Sequence, residues 1–174
     1  MPNLLSIDIG IKNLGWALLT YDEGGNVVDC NFGIFTIDDK CSRKESIVNR
    51  RCNRIVEFFE LFGTSPDMIV LERQVNNNTM AMELMYAITM YATINQTPLF
   101  VFDPKLKFTF YNEEYSTKNK AHKRASIVRA TQYIKDNFAN KLELFEANAK
   151  KDDVSDAINQ GITYLEMLNL IERK

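Results

Sequence analysis

Leu4-Leu5-Ser6-Ile7-Asp8-Ile9-Gly10, then Leu14-Gly15-Trp16-Ala17-Leu18-Leu19-Thr20-Tyr21, then Asp22-Glu23-Gly24-Gly25-Asn26 open the chain. The first run reads as a short buried strand broken at Asp8-Ile9-Gly10, and Leu14 to Tyr21 reads as a second strand. The Asp/Gly/Asn cluster is a strong hairpin turn, and Val27 to Ile37 supplies a third strand. Strands joined by a short turn run antiparallel, so the sheet opens as a meander. Beyond it, Ile47, Val48, Ile55, Phe58, Phe59 and Phe62 recur at helical spacing, with Ser42 and Glu45 forming a capping box. Met68 to Glu72 is a strand, Met80 to Ile94 a helix, and Pro98 to Phe102 another strand. Ala121 to Phe138 reads as an amphipathic helix, and a last helix starts at Asp152 or Asp153 and runs to about Ile171. Three antiparallel strands followed by αβαβαα predict an α/β fold: a mixed five-stranded sheet with helices on both faces.

Two of these strands carry a carboxylate where an apolar residue is expected. Asp8 interrupts the first run, and Glu72 ends Met68-Ile69-Val70-Leu71. An ionised carboxylate in a buried strand is costly unless it is paired or binds a metal. Asp153 and Asp156 stand three apart at the head of the last helix, which puts both on one side of it. Acidic residues also suit a first helical turn because of the helix dipole, and Asp152 fits that role or a cap. Taken with Asp8 and Glu72, the pair points to a shared site of oxygen ligands, suited to Mg²⁺ with Mn²⁺ as a substitute. Two ions roughly 3.5–4 Å apart would stabilise the attacking and leaving oxygens of an in-line phosphodiester cleavage. Asp8 is the expected bridging ligand, and Glu72 is expected to bind one ion and place the attacking water.

The remaining composition narrows the alternatives. The chain has 174 residues, 45% of them hydrophobic and 25% charged, which fits one globular domain spanning 1–174. No apolar run approaches the ~20 residues needed to cross a bilayer, and no presequence precedes the first strand, so no membrane association and an intracellular location are expected. Cys30, Cys41 and Cys52 lack metal-ligand spacing, and His122 is the single histidine, which argues against a zinc site. No Walker-type loop is present, and the chain is short for a sugar-kinase or actin-type ATPase. The net charge is −2, yet Lys105, Lys107, Lys118, Lys120, Lys123, Arg124 and Arg129 gather in one stretch. Lys118, Lys120, Lys123, Arg124 and Arg129 are expected to meet backbone phosphates, with Arg73 beside the metals as a further contact. Phe108 and Phe110, interleaved with Lys105 and Lys107, read first as core cover and second as stacking groups. Met80, Met82, Met85, Tyr86, Met90 and Tyr91 make one helix rich in Met and Tyr, which suits either a core or an interface.

Three motifs carry a resemblance that spans essentially the whole chain. Leu5-Ser6-Ile7-Asp8-Ile9-Gly10-Ile11-Lys12-Asn13-Leu14-Gly15-Trp16-Ala17 resembles the first motif of RuvC-like nucleases. Leu71-Glu72-Arg73-Gln74 and Lys151-Asp152-Asp153-Val154-Ser155-Asp156-Ala157 resemble the second-carboxylate and last motifs of the poxvirus and fungal mitochondrial Holliday junction resolvases. Compact length without a presequence favours the poxvirus branch. The resemblance implies an RNase H-like fold and the four acidic residues Asp8, Glu72, Asp153 and Asp156. It also implies a homodimer acting on branched DNA, which cuts a four-way junction symmetrically to resolve concatemeric genomes in the host cytoplasm. Some relatives carry an extra catalytic His or Lys near the last motif, for which Lys150 and Lys151 are the candidates here. The alternatives are an RNase H-like nuclease of broader branched-DNA or RNA–DNA hybrid specificity, and a noncatalytic junction-binding protein.

Overall fold

The computed structural model describes residues 1–37, 47–75, 78–109 and 119–171. The expected capping box at Ser42, together with Cys41, Asn76, Asn77, Phe110 and Lys118, lies outside the described residues. In chain order the elements are β1 (Asn3–Ile9), β2 (Asn13–Tyr21), β3 (Val27–Thr36), α1 (Ile47–Glu60), β4 (Met68–Glu72) and α2 (Thr79–Ile94). They continue with β5 (Leu99–Phe102), α3 (Leu106–Thr109), α4 (Asn119–Asn137), a 3-10 turn (Ala139–Lys141), α5 (Leu142–Glu146) and α6 (Lys151–Met167).

The sheet order is β3-β2-β1-β4-β5. β1 pairs antiparallel with β2, and β2 with β3, as the hairpin turn requires. Gly25 takes φ +79° in that turn, and the Asp22 side chain accepts from the Asn26 backbone N–H at 2.9 Å. β4 lies parallel to β1, and β5 parallel to β4. The expected mixed sheet with helices on both faces is therefore present, and α3 and α5 are short additions to the expected helices.

Period-two alternation divides the sheet between two cores. Leu5, Ile7, Ile9, Ile69 and Leu71 pack with Ile55, Phe58 and Phe59 of α1 and Leu84 and Ile88 of α2. Leu4, Ala17, Leu19 and Val70 face the other way, onto Val154, Ala157, Ile158 and Leu165 of α6 and Ala130 and Ile134 of α4. Asp8 follows Leu4 and Ser6 in this alternation, so its side chain belongs to the α6 face, and Glu72 follows Met68 and Val70 there.

Between Val154 and Glu166, α6 is buried at every position except Asp156. It ends earlier than the sequence suggests, at Met167, because Asn169 adopts φ +54° and the Leu170 N–H turns back to the Leu165 carbonyl at 3.0 Å. Gly161 lets the helix lie flat on the sheet: a Cβ there would sit 2.8 Å from Leu19 Cδ1 and 3.0 Å from Ser6 Cβ. Gly161→Val should lower stability by about 1–3 kcal/mol through overpacking, read as a fall in the urea midpoint at unchanged m-value.

Candidate active site

β1, β4 and β5 are parallel, so their C-terminal ends share one edge of the sheet, where ligands collect in open α/β folds. Asp8 lies one residue from the end of β1, and Glu72 is the last residue of β4. The head of α6 comes over this edge. Gly15 of β2 is the register partner of Asp8, and a Cβ at Gly15 would stand 2.4 Å from the Asp153 carbonyl oxygen. Only a residue without a side chain allows that approach, so Gly15, the register partner of Asp8, lets the Asp153 backbone settle onto β2.

The Asp8 and Glu72 carboxyls share a hydrogen bond, and Asp156 is close enough to raise the proton affinity of Asp8 further. Burial and the charge of Glu72 push Asp8 well above the usual carboxylate range, so the shared proton resides on Asp8. Glu72 is also strongly desolvated, but the Lys107 charge together with hydrogen bonds from Asp8, Lys107 and Gln74 offsets that cost and holds it below its ordinary value. Burial raises Asp153 as well, and the neighbouring Asp152 adds to the effect.

Lys107, delivered by the four-residue α3, is 4% exposed. Its ammonium lies 3.5 Å from Glu72 Oε1 and 3.2 Å from Asp156 Oδ1. Desolvation opposes its charge, but Asp156, Glu72 and Asp8 together hold its pKa above the usual lysine range. Among the described residues, no three acidic, His or Cys side chains close into a ready-made metal cage. The cation already in place is Lys107. Sequence reasoning counted this lysine only as part of a basic, aromatic stretch; a Lys between Leu106 and Phe108 just after a parallel strand was the available signal.

The other sequence candidates are placed as follows. Lys150 is exposed and Lys151 half-buried, and the lysine whose ammonium contacts Glu72 and Asp156 is Lys107. Asp152 does not occupy the N-cap position, which is Lys150; its carboxylate accepts backbone N–H bonds of the first turn and pairs with Lys123 at 2.5 Å. Arg73 is exposed and 3.9 Å from Asp103, and Arg124 is exposed on α4. Arg129 donates from Nη1 to the Lys107 carbonyl oxygen at 2.7 Å. Lys120 belongs to α4 by its backbone.

The family profile described as Poxvirus A22 protein matches residues 3–169. The Holliday junction resolvase of Fowlpox virus (strain NVSL) is 27% identical over 167 residues, covering 95% of this chain and 93% of that one. The crystal structure of the Fowlpox virus resolvase with substrate Holliday junction DNA superposes with TM-score 0.67 at 22% identity, covering 95% of this chain and 98% of that one. Thermus thermophilus RuvC superposes with TM-score 0.61 at 16% identity, covering 97% and 96% of the two chains. These structures share the fold of this chain.

The raised Asp8 fixes the sign of a pH dependence. Between its unfolded pKa, about 3.9, and its raised folded value, the native state holds a proton that the unfolded chain has lost. Stability therefore falls as pH climbs through that window, and the whole deficit is present above it. Asp8→Asn removes the deficit and should raise the Tm of the protein in EDTA at pH 8 by a few degrees, since about 1 kcal/mol moves Tm by about 2–4 °C at this size. Thermal unfolding at stepped pH should show the gain shrinking toward zero near pH ~4.

Proposed function

The chain belongs to the poxvirus A22 protein family, and from that premise we propose that it is a structure-selective endonuclease that resolves four-way DNA junctions by paired, symmetric nicks. The observation that carries this reading is the gathering of Asp8, Glu72 and Asp156, with Asp153 beside them, at the open edge of the sheet. Four carboxylates offer only oxygen donors, and the strain between Asp8 and Glu72 is of the kind a hard cation relieves. Asp8, Glu72, Asp153 and Asp156 would hold two Mg²⁺, with Mn²⁺ able to substitute. Bound there, the ions would stabilise the attacking and leaving oxygens of an in-line displacement.

The protein's own groups divide the remaining work. Glu72 would orient the attacking water, and Asp8 would release its shared proton to solvent on taking up a divalent cation. Lys107, fixed beside the carboxylates, places a buried ammonium where charge develops on the phosphate. Arg73 and Arg124 present exposed guanidiniums to the DNA backbone. Lys118 and Lys120 are assigned to phosphates by their charge in the sequence, and Lys123 and Arg129 of α4 join them. Lys123 and Arg129 would do so from the intramolecular contacts they already make.

Symmetric cutting needs two copies, and the opposite face of the sheet supports a homodimer. α1 and α2 border an apolar cavity of about 470 Å³, lined by Ile55, Val56, Tyr86, Met90, Tyr91 and Ile94 among others. Tyr86, Met90 and Ile94 are 58%, 59% and 73% exposed, while Ala81, Leu84, Ile88 and Ala92 of the same helix fill the core. The Met/Tyr-rich helix thus serves the core with one face and offers an apolar surface with another. Resolution of genome concatemers in the infected host cytoplasm is the role this activity would serve.

Each strand of a mobile four-way junction, labelled in turn and incubated in Mg²⁺, should show matched nicks in opposing strands that leave ligatable duplexes. Cleavage confined to RNA–DNA hybrids would replace this reading with that of a hybrid nuclease, and binding without cleavage in either Mg²⁺ or Mn²⁺ with that of a junction-binding protein. Asp8→Asn should reduce cleavage by at least ~10³-fold while junction affinity in a gel-shift titration stays within a few-fold. Met90→Glu should weaken self-association by roughly 30-fold or more, as expected for about 2 kcal/mol lost at a buried contact, measured by sedimentation equilibrium.

A further inference from the structure

Helix α4 reaches the site from the side and touches it three times, with residues three apart. Lys123 pairs with Asp152, Ser126 donates to Asp156, and Arg129 donates to the Lys107 carbonyl. Of the three, Ser126 is buried, at 6% exposure, and bonds directly to one of the four carboxylates. Its hydroxyl donates to Asp156 Oδ1 at 2.7 Å. Asn159, one turn along α6 from Ser155, donates from Nδ2 to Ser126 Oγ and to the Ser126 carbonyl oxygen, both at 2.9 Å.

A serine hydroxyl has one hydrogen to give. With Asn159 donating into its oxygen, that hydrogen is directed to Asp156, and the order of the relay is fixed as Asn159 to Ser126 to Asp156. Lys107 approaches the same Oδ1 at 3.2 Å. Both holding contacts fall on one oxygen of the carboxylate, which leaves Oδ2 to serve as a ligand in a single, fixed orientation. Groups that hold a ligand in this way commonly set metal affinity by 10–100-fold.

We infer that Ser126 is a positioning residue: held by Asn159, it orients the Asp156 carboxylate for the divalent cation. The inference rests on the metal-site reading proposed above, and the test separates the two. Mn²⁺ is titrated into the full-length protein without DNA, and free Mn²⁺ is followed by its electron paramagnetic resonance signal. Ser126→Ala should weaken binding about 10-fold, and Ser126→Thr, which keeps the hydroxyl, should recover most of it. Asn159→Ala, which frees the hydroxyl to turn away, should weaken binding in the same direction. In junction cleavage, Ser126→Ala should raise the Mg²⁺ concentration for half-maximal rate by a similar factor while the DNA KM is unchanged.

Asp8→Asn is the control. If Asp8→Asn loses Mn²⁺ binding while Ser126→Ala and Asn159→Ala bind as tightly as the parent, the positioning role is overturned and the site reading stands. If Asp8→Asn binds Mn²⁺ as the parent does, the site reading falls and this inference falls with it. A Ser126→Ala protein of lower Tm but native Mn²⁺ affinity would make Ser126 a packing residue only.

Discussion

Carboxylates cannot be crowded at the edge of a half-buried sheet without a positive charge among them, and that constraint organises much of this protein. Two like charges about 4 Å apart at an effective dielectric of about 20 repel by ~4 kcal/mol. The structure answers in two ways at once. Asp8 keeps a proton, and Lys107 is buried between Glu72 and Asp156. A lysine surrendering its hydration needs a rigid mount, and α3 is only four residues long. Arg129, reaching from α4 to the Lys107 carbonyl, gives that short helix an anchor it could not supply itself. The positions of α3, α4 and the head of α6 are therefore tied to one local balance of charge.

The second requirement is that a helix and two strands hold a common geometry. Glycines set the closeness: Gly15 admits the backbone at Asp153, and Gly161 admits the sheet side chains two turns later. Gln160 sets the lateral position. Its Nε2 donates to Ser6 Oγ and the Ile7 carbonyl at 3.1 Å each, and lies 3.3 Å from the Val70 carbonyl. Ser6, Ile7 and Val70 each lie within two residues of Asp8 or Glu72, so one buried amide ties both carboxylate strands to the helix that carries Asp153 and Asp156. The Nε2 donors are well engaged, while the buried Oε1 has no hydrogen-bond partner among the described residues. The donor contacts discriminate against a shifted helix, which would leave the amide with no partners at all.

The sheet was legible from sequence because its signals are local. An Asp/Gly/Asn turn between apolar runs dictates an antiparallel pair, and strands separated by a helix have the spacing of parallel crossovers. Asp8 and Glu72 stood out because each violates an apolar strand pattern, and the structure brings them into hydrogen-bonding contact. Lys107 was not legible in that way. A lysine among basic residues reads as solvated, and only the turn of the chain after β5 buries it. Ser126 was hidden for the same reason, since one serine on a basic helix carries no period and no charge. Arg129 and Lys123 were read as phosphate contacts from charge alone, whereas the fold also gives each an internal partner. Side chains that serve the site through another residue leave little trace in a single sequence.

What the sequence pattern does settle is which face of the sheet receives the carboxylates, and there the strand register decides everything. On β1 the even positions Leu4, Ser6 and Asp8 face α6, while Leu5, Ile7 and Ile9 face α1 and α2. A slip of one residue between β1 and β4 would turn one carboxylate into the apolar core on the α1/α2 side. That error is opposed at the far end of the strands from the site. The Asn3 N–H donates to Asp67 Oδ2 at 2.8 Å, and the Asp67 N–H donates back to Asn3 Oδ1 at 3.0 Å. This reciprocal pair fixes Leu4 opposite Met68, from which Ile7 opposite Leu71 follows residue by residue. The same alternation that delivers both carboxylates to the α6 face turns Leu5, Ile7, Ile9, Ile69 and Leu71 toward α1 and α2. The carboxylate edge beneath α6 and the apolar core beneath α1 and α2 are thus two consequences of a single register.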